Sequence, residues 1–434
     1  MSIAKAILIA VIFCCELSVR AENKHSPSSR YPSYEGLVMC GYQGWFRADG
    51  DGSGNGWVHY SVRRNELNPS FVHVDFWPDV SEYQKTYATG FTNQDGSVAK
   101  VFSSWDQSTT DLHFRWMRQY GIDGVFVQRF FGGLRTEKSR RESRVVLVHA
   151  LKASQKYGRV IAVMYDLSGL KANGEDCSAI IQDWKELVDE LKITSQGTNQ
   201  TYLYDKGRPV VAIWGLGFPD RPYNIHNIGI EKLIDFLKHD PQYGGCAVLL
   251  GVPTYFRQLD VDCLPDPYLH KIMESADIIM PWMVGRFTPL LQDEPERYAQ
   301  EVKADIAWCN ARHLEYVPCV YPGFSWHNLS RFEFAGASHP LNQIPRLKGK
   351  FYWSEINGAI QSGAKMLYVA MFDEMDEGTA IFKCSNHPPA GVKLGDYEGL
   401  PTDQYLWLTG EAGKMLRGEI PFSQNVPGRI PVEK

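Results

Sequence analysis

The sequence predicts a single (β/α)8 barrel, and three observations carry that prediction. After Tyr34, eight short apolar runs alternate with segments of helical period. Several of these runs finish against Trp, Tyr or Arg, at the strand ends where a parallel barrel gathers its binding groups. The last run, Met366–Phe372, opens into four carboxylates within five residues: Asp373, Glu374, Asp376 and Glu377. Runs this short, rich in β-branched and aromatic residues, suit strands buried on both faces.

The 434 residues, 44% hydrophobic and 22% charged, have the composition of a globular chain with one large core. A formal charge of −5, with no basic run beyond Lys138-Ser139-Arg140-Arg141, argues against nucleic acid as a partner. Lys5 followed by the apolar stretch Ala6–Cys15 and by Val19-Arg20-Ala21 reads as a signal peptide over 1–21, so a secreted or periplasmic protein is expected. A lipoprotein anchor at Cys14 or Cys15 is the lesser alternative, because bulky Phe13 precedes them. Residues 22–33 are polar and read as a linker; 34–434 are assigned to the barrel. No later run reaches the roughly 18 apolar residues of a membrane span. The seven remaining cysteines form no Cys-x-x-Cys pair, and three lie inside apolar runs where a buried thiol is usual. Cys309 and Cys319 are the one pairing the sequence leaves open.

The first strand is expected at Leu37–Tyr42, which brings Tyr42, Gln43 and Trp45 to the strand's end. A Gly- and Asp-rich loop leads to Trp57 and His59, and the acidic, aromatic segment 73–83 supplies Asp75 and Trp77 around Pro78. Asn93–Gly96 reads as a turn. A helix capped near Ser108 or Thr109 follows, with His113, Trp116, Met117 and Tyr120 on one face, the spacing of a core stripe. Gly121–Gly124 turns into strand two, Val125–Val127, ending in Gln128 and Arg129. Helices near 139–157 and 178–193 flank strand three, Val160–Tyr165, which ends at Asp166. Strand four, Val210–Ile213, ends at Trp214; strand five, Cys246–Gly251, precedes Tyr255; strand six, Asp277–Pro281, precedes Trp282. Strand seven, Tyr316–Val320, leads to Trp326 and His327, and Thr402–Arg417 reads as a closing helix.

Strand eight delivers the acids. Glu374 and Glu377 are three apart, which on one helical turn sets their Cβ atoms about 5–6 Å apart. Two carboxylates so placed can serve as acid and base on one substrate. By spacing alone they also fit an ordinary strand-to-helix junction, where acids cap a helix N-terminus.

The run Phe372-Asp373-Glu374-Met375-Asp376-Glu377-Gly378-Thr379 resembles the Asn-Glu-Trp-x-Glu-Gly-Thr signature of the endo-α-1,2-mannosidase family, glycoside hydrolase family 99, and its family 71/99-like bacterial relatives. The Trp57/His59 region and the block from Ser103 to Phe130 resemble the same family in order of elements. The resemblance implies a retaining glycosidase in which Glu374 assists attack by the substrate's own 2-hydroxyl and Glu377 is the general acid/base. It also implies a carbohydrate substrate whose site Trp57 and His59 line, while position at or beyond the strand ends makes Tyr42, Gln43, Trp45, Gln128, Arg129, Asp166, Trp214, Tyr255, Trp282, Trp326 and His327 candidates to bind it, with Asp75 and Trp77 from a loop that equally suits packing on the barrel rim. No cofactor and no metal is expected, since no His or Cys cluster has ligand spacing, although the four acids offer oxygens to a hard cation. A monomer is expected. Asp373 stands where the family has Asn, and Met375 where it has Trp. Other readings are a glycosidase acting on glucan, arabinan or xylan, and a binding barrel that has lost turnover.

Overall fold

A computed structural model of the chain describes residues 22–333 and 339–429. The expected signal peptide at 1–21 lies outside the described residues. Eight parallel strands form the barrel: β1 (Val38–Tyr42), β2 (Gly124–Phe130), β3 (Val160–Asp166), β4 (Arg208–Trp214), β5 (Ala247–Pro253), β6 (Ile278–Trp282), β7 (Glu315–Tyr316 and Cys319–Val320) and β8 (Leu367–Val369). Each pairs with its sequence neighbour, and β1 also pairs with β8, with Val38 opposite Leu367 and Cys40 opposite Val369. The sheet closes through β7, which Pro318 divides because a proline has no N–H to give the ladder. Glu315–Tyr316 pairs with β6, Cys319–Val320 with β8, and the backbone N–H groups of Val317 and Tyr368 bridge the gap to Ile279 and Pro318.

Every residue of β3 and β5 is buried, as expected for strands sandwiched between barrel interior and helices. The surrounding helices are α1 (Gln107–Tyr120), α2 (Glu137–Tyr157), α3 (Ser178–Glu190), α4 (Ile230–His239), α5 (Tyr268–Glu274), α6 (Glu294–Asn310), α7 (His327–Glu333), α8 (Lys350–Gln361) and α9 (Gln404–Leu416). The stripe on α1 is core as expected: His113, Trp116 and Met117 are fully buried. His113 sits between the hydroxyls of Tyr42 and Tyr83 at 2.9 and 2.7 Å, and burial lowers its pKa to about 3. None of the described helices is long and apolar enough to cross a membrane.

The long β1–α1 connection carries an antiparallel ribbon, Tyr87–Thr92 with Val98–Val101, around the expected turn at Asn93–Gly96. The segment after β8 returns over this connection, its Ser385 and Gly395 N–H groups donating to Trp77 and Asp75 carbonyls. Residues 22–33, read as a linker, lie along the barrel wall: Lys24 and Ser26 donate to Gln242 and Thr194 carbonyls, and His25 packs on Trp184. All seven cysteines of the described residues are buried free thiols, Cys309 and Cys319 included.

Candidate active site

At the C-terminal mouth of the barrel lies a cleft of about 520 Å³. Its lining brings together Gln43, Trp45, Gln128, Asp166, Trp214, Trp282, Trp326, Glu374 and Glu377 from the ends of seven strands. Met371 and Gln128 face it from the barrel, above Tyr368, whose hydroxyl accepts a hydrogen bond from Gln128 Nε2 at 3.3 Å. Gly41 makes room for this packing, because a Cβ there would lie 2.1 Å from Met371 Cε.

Of the acids after β8, Asp376 and Glu377 lie in a turn over Met375–Gly378, with Asp373 and Glu374 just before it, and no helix forms there. Gly378, at φ +63°, passes so close to Ser325 that a Cβ would lie 2.9 Å from its backbone nitrogen. The turn is fixed from behind by main-chain bonds: Asp75 N–H donates to Met375 O, Ser325 N–H to Glu377 O, and Arg346 Nη2 to the carbonyls of Gly378 and Ala380. Asp373 accepts from the backbone N–H groups of Gln43 and Gly44 at 2.8 and 2.9 Å, which ties the turn to the end of β1. Thr379 Oγ1 donates to Glu374 Oε2 at 3.3 Å. Asp376 Oδ2 meets His59 Nδ1 at 2.9 Å.

Asp373, Glu374 and Asp376 are all at least 97% buried. Among the described residues their one ion-pair partner is His59. Burial, opposed by its two N–H donors and aided by Asp376, pushes the Asp373 carboxyl to about 7. Burial first, then the charges of Glu377 and Asp376, raises Glu374 well above the carboxylate range. Across the cleft burial lifts Asp166 to about 6, against the pull of its bond from Ser168 N–H. The mouth of the barrel is therefore a place where carboxyl groups hold protons near neutral pH.

The walls are aromatic. Trp45 stacks with His59 (ring centroids 3.7 Å apart) and with Phe130 (5.2 Å), while Trp214 meets Trp282 edge to face at 5.3 Å and Phe218 at 5.0 Å. Phe218, Asp220 and Arg221 line the cleft from the loop after β4, and Gln343 from beyond α7, where it accepts from Trp326 Nε1. The sequence reading missed these four; an aromatic and an arginine beside the Pro and Gly of Gly215–Pro222 was the available signal. Five polar atoms of residues that line the cleft are themselves buried without a partner among the described residues: Gln43 Oε1, Gln128 Oε1, Trp45 Nε1, Trp214 Nε1 and Arg221 Nε.

The other residues read from the sequence lie elsewhere. Tyr42 points away from the cleft to His113, and Trp57 packs against Tyr60 within the β1–α1 connection. Asp75 is fully buried and accepts from Ser325 Oγ, the N–H groups of His327 and Asn328, and Asn328 Nδ2, a clamp on the loop after β7. Trp77 is buried with its Nε1 on Lys100 O. Arg129 faces the helices, paired to Asp183. Tyr255 receives a bond from Arg297, and His327 Nδ1 donates to His339 O. No group of three or more His, Cys, Asp or Glu among the described residues is placed to hold a metal ion. Both oxygens of Asp373 go to the N–H groups of Gln43 and Gly44, and Oδ2 of Asp376 goes to His59.

No protein-family model matches the chain. Over 102 residues, 24% of its length, it is 30% identical to the glycoprotein endo-α-1,2-mannosidase of Xenopus laevis, and it spans about a fifth (21%) of that relative. The family 99 endo-α-mannosidase of Bacteroides thetaiotaomicron, solved alone and with Bis-Tris-propane, superimposes with TM-scores of 0.60 and 0.61 at 15% identity. Both superpositions cover 89% of this chain and 99% of that one. The chain has the (β/α)8 fold of the family 99 endo-α-mannosidases, the family its acidic turn resembles.

Proposed function

We propose that this protein is a glycoside hydrolase that cleaves α-mannosidic bonds in a glycan with retention of configuration. The observation that carries the reading is the cleft at the barrel mouth, where Trp45, Trp214, Trp282 and Trp326 line the space beside Glu374 and Glu377. Sugar rings present apolar faces to indoles, and their hydroxyls both donate to and accept from polar groups such as Gln43, Gln128 and Asp166 of the lining. The likeness to mannosidases in sequence and fold supports the choice of linkage.

In this reading the carboxylate of Glu374 takes the proton of the substrate's 2-hydroxyl as that oxygen attacks C1. The carboxyl group of Glu377 protonates the departing glycosidic oxygen as the C1–O bond breaks. Water then adds at C1 with both proton transfers reversed, and two inversions give net retention. The raised proton affinity of Glu374 makes it a stronger base than a solvated carboxylate. We further propose that the reaction takes place outside the cytoplasm, on the strength of the Ala6–Cys15 pattern.

A panel of mannans, high-mannose glycans, glucans, arabinans and xylans tests the reading. Release of α-anomeric oligosaccharides from an α-mannoside, followed by NMR, is expected. Release from another polysaccharide alone replaces the substrate class, and glycan binding with no product on the whole panel establishes a binding barrel.

A further inference from the structure

His59 adopts φ +61°, a left-handed conformation uncommon outside glycine, in the connection after β1. That strain points to a local requirement. The imidazole lies flat on Trp45, 3.7 Å between centroids and 7° between planes, with Phe46 edge-on at 6.1 Å. Its Nδ1 meets Asp376 Oδ2 at 2.9 Å, while Asp376 Oδ1 is buried without a partner among the described residues. A carboxylate only accepts, so Nδ1 carries the proton of this bond. One ring therefore touches both a wall of the cleft and a carboxylate two residues from Glu374.

We infer that His59 is a positioning residue: it holds Asp376 in register beside the glutamate pair and holds Trp45 as the cleft wall, so that the two move as one unit. This rests on the hydrolase reading for its kinetic consequence, though not for its structural one. The charges that face Asp376 and His59 from neighbouring elements are His73, Asp373, Glu374 and Glu377, with the Tyr60 hydroxyl. Asp376 acts on Glu374 through its negative charge, which favours the protonated form of that carboxyl.

The pH profile of kcat/KM in the wild type, His59→Gln, Asp376→Asn and the double variant tests the inference. Asp376→Asn removes a negative charge near Glu374, so the acid limb should shift to lower pH while KM stays close to wild type. His59→Gln should change KM as well as kcat, because Trp45 loses its support. The double variant should lose no more than the worse single one, since residues acting through each other are not additive. Additive losses with an unshifted acid limb overturn the inference while leaving the hydrolase reading intact. A wild type inert across the glycan panel removes the hydrolase reading, and the coupling is then read without substrate. In protein labelled with ¹⁵N-tryptophan, the Trp45 indole resonance, identified by its loss in Trp45→Phe, should move in Asp376→Asn; a fixed resonance overturns the inference.

Discussion

On the outer side of β2, Arg129 sends Nε and Nη2 to the two oxygens of Asp183 at 2.7 and 2.6 Å, and the Tyr165 hydroxyl adds a third bond at 2.9 Å. Arg140 and Arg144 complete the cluster on Glu186 and Glu190. At the mouth of the barrel, carboxylates just as buried have backbone N–H groups, a threonine and one histidine for company. The first cluster cancels its charge and locks α2 and α3 to the barrel. In the second, excess negative charge is kept out of water and is relieved by taking up protons. Asp183 is buried as deeply as Asp373, Glu374 and Asp376; the difference is whether a cation of fixed geometry was supplied, and that difference separates a structural cluster from a site able to move protons.

Breaking the mouth should cost activity and little stability. Glu374→Gln and Glu377→Gln should each lower kcat by roughly 10²–10⁴-fold, the range of general acid–base groups, with unchanged unfolding midpoints. An activated aryl glycoside, whose leaving group needs little protonation, should partly rescue the Glu377 variant and not the Glu374 variant. Equal rates for wild type and both variants would move the site elsewhere on the rim.

Breaking the outer cluster should do the reverse. Arg129→Met leaves Asp183 buried beside Tyr165, at a cost of about 3–5 kcal/mol, readable in urea unfolding. Activity per folded molecule should persist, and Asp183→Leu in the same chain should recover much of the loss. Recovery failing would mean the pair is worth more than its desolvation.

Asp373 sharpens the comparison through pH. Its pKa is about 7 folded against a reference of 3.8, so between those values the folded state binds more protons than the unfolded one. Its stabilising contribution is complete below about pH 4 and is lost as the pH rises through about 7. Asp373→Asn should flatten that part of the wild-type profile of unfolding free energy. An identical slope in the variant would show that the two N–H donors already keep the carboxylate ionised.

The smallest effect is expected at the wall. Trp282→Ala should weaken oligosaccharide binding by about 1 kcal/mol, the size of one aromatic contact and roughly fivefold in Kd, measured by calorimetry on the Glu377→Gln protein. No change would place the bound sugar nearer Trp45.

The order of strands was legible because a barrel strand is apolar on both faces and needs no partner to be recognised. All eight runs became strands, including the seventh despite Pro318. The acidic turn was legible too, since it follows its strand directly in the chain. The sequence could not say which of two adjacent residues at a strand end looks into the cleft. Side chains alternate along a strand, and the phase is set by register across the whole barrel. Gln43 lines the cleft while Tyr42 turns to His113. Gln128 lines it while Arg129 turns to Asp183, and Asp166 lines it while Tyr165 joins the same outer cluster. Asp75 has the composition of a ligand and the position of a clamp, because Ser325 and Asn328, some 250 residues away, come to it. By itself the sequence determined the barrel and the chemistry of its last strand, since both are written in contiguous residues. Tertiary structure alone decided which charges were paired and which were left to face the cleft, because a buried carboxylate takes its character from neighbours far along the chain.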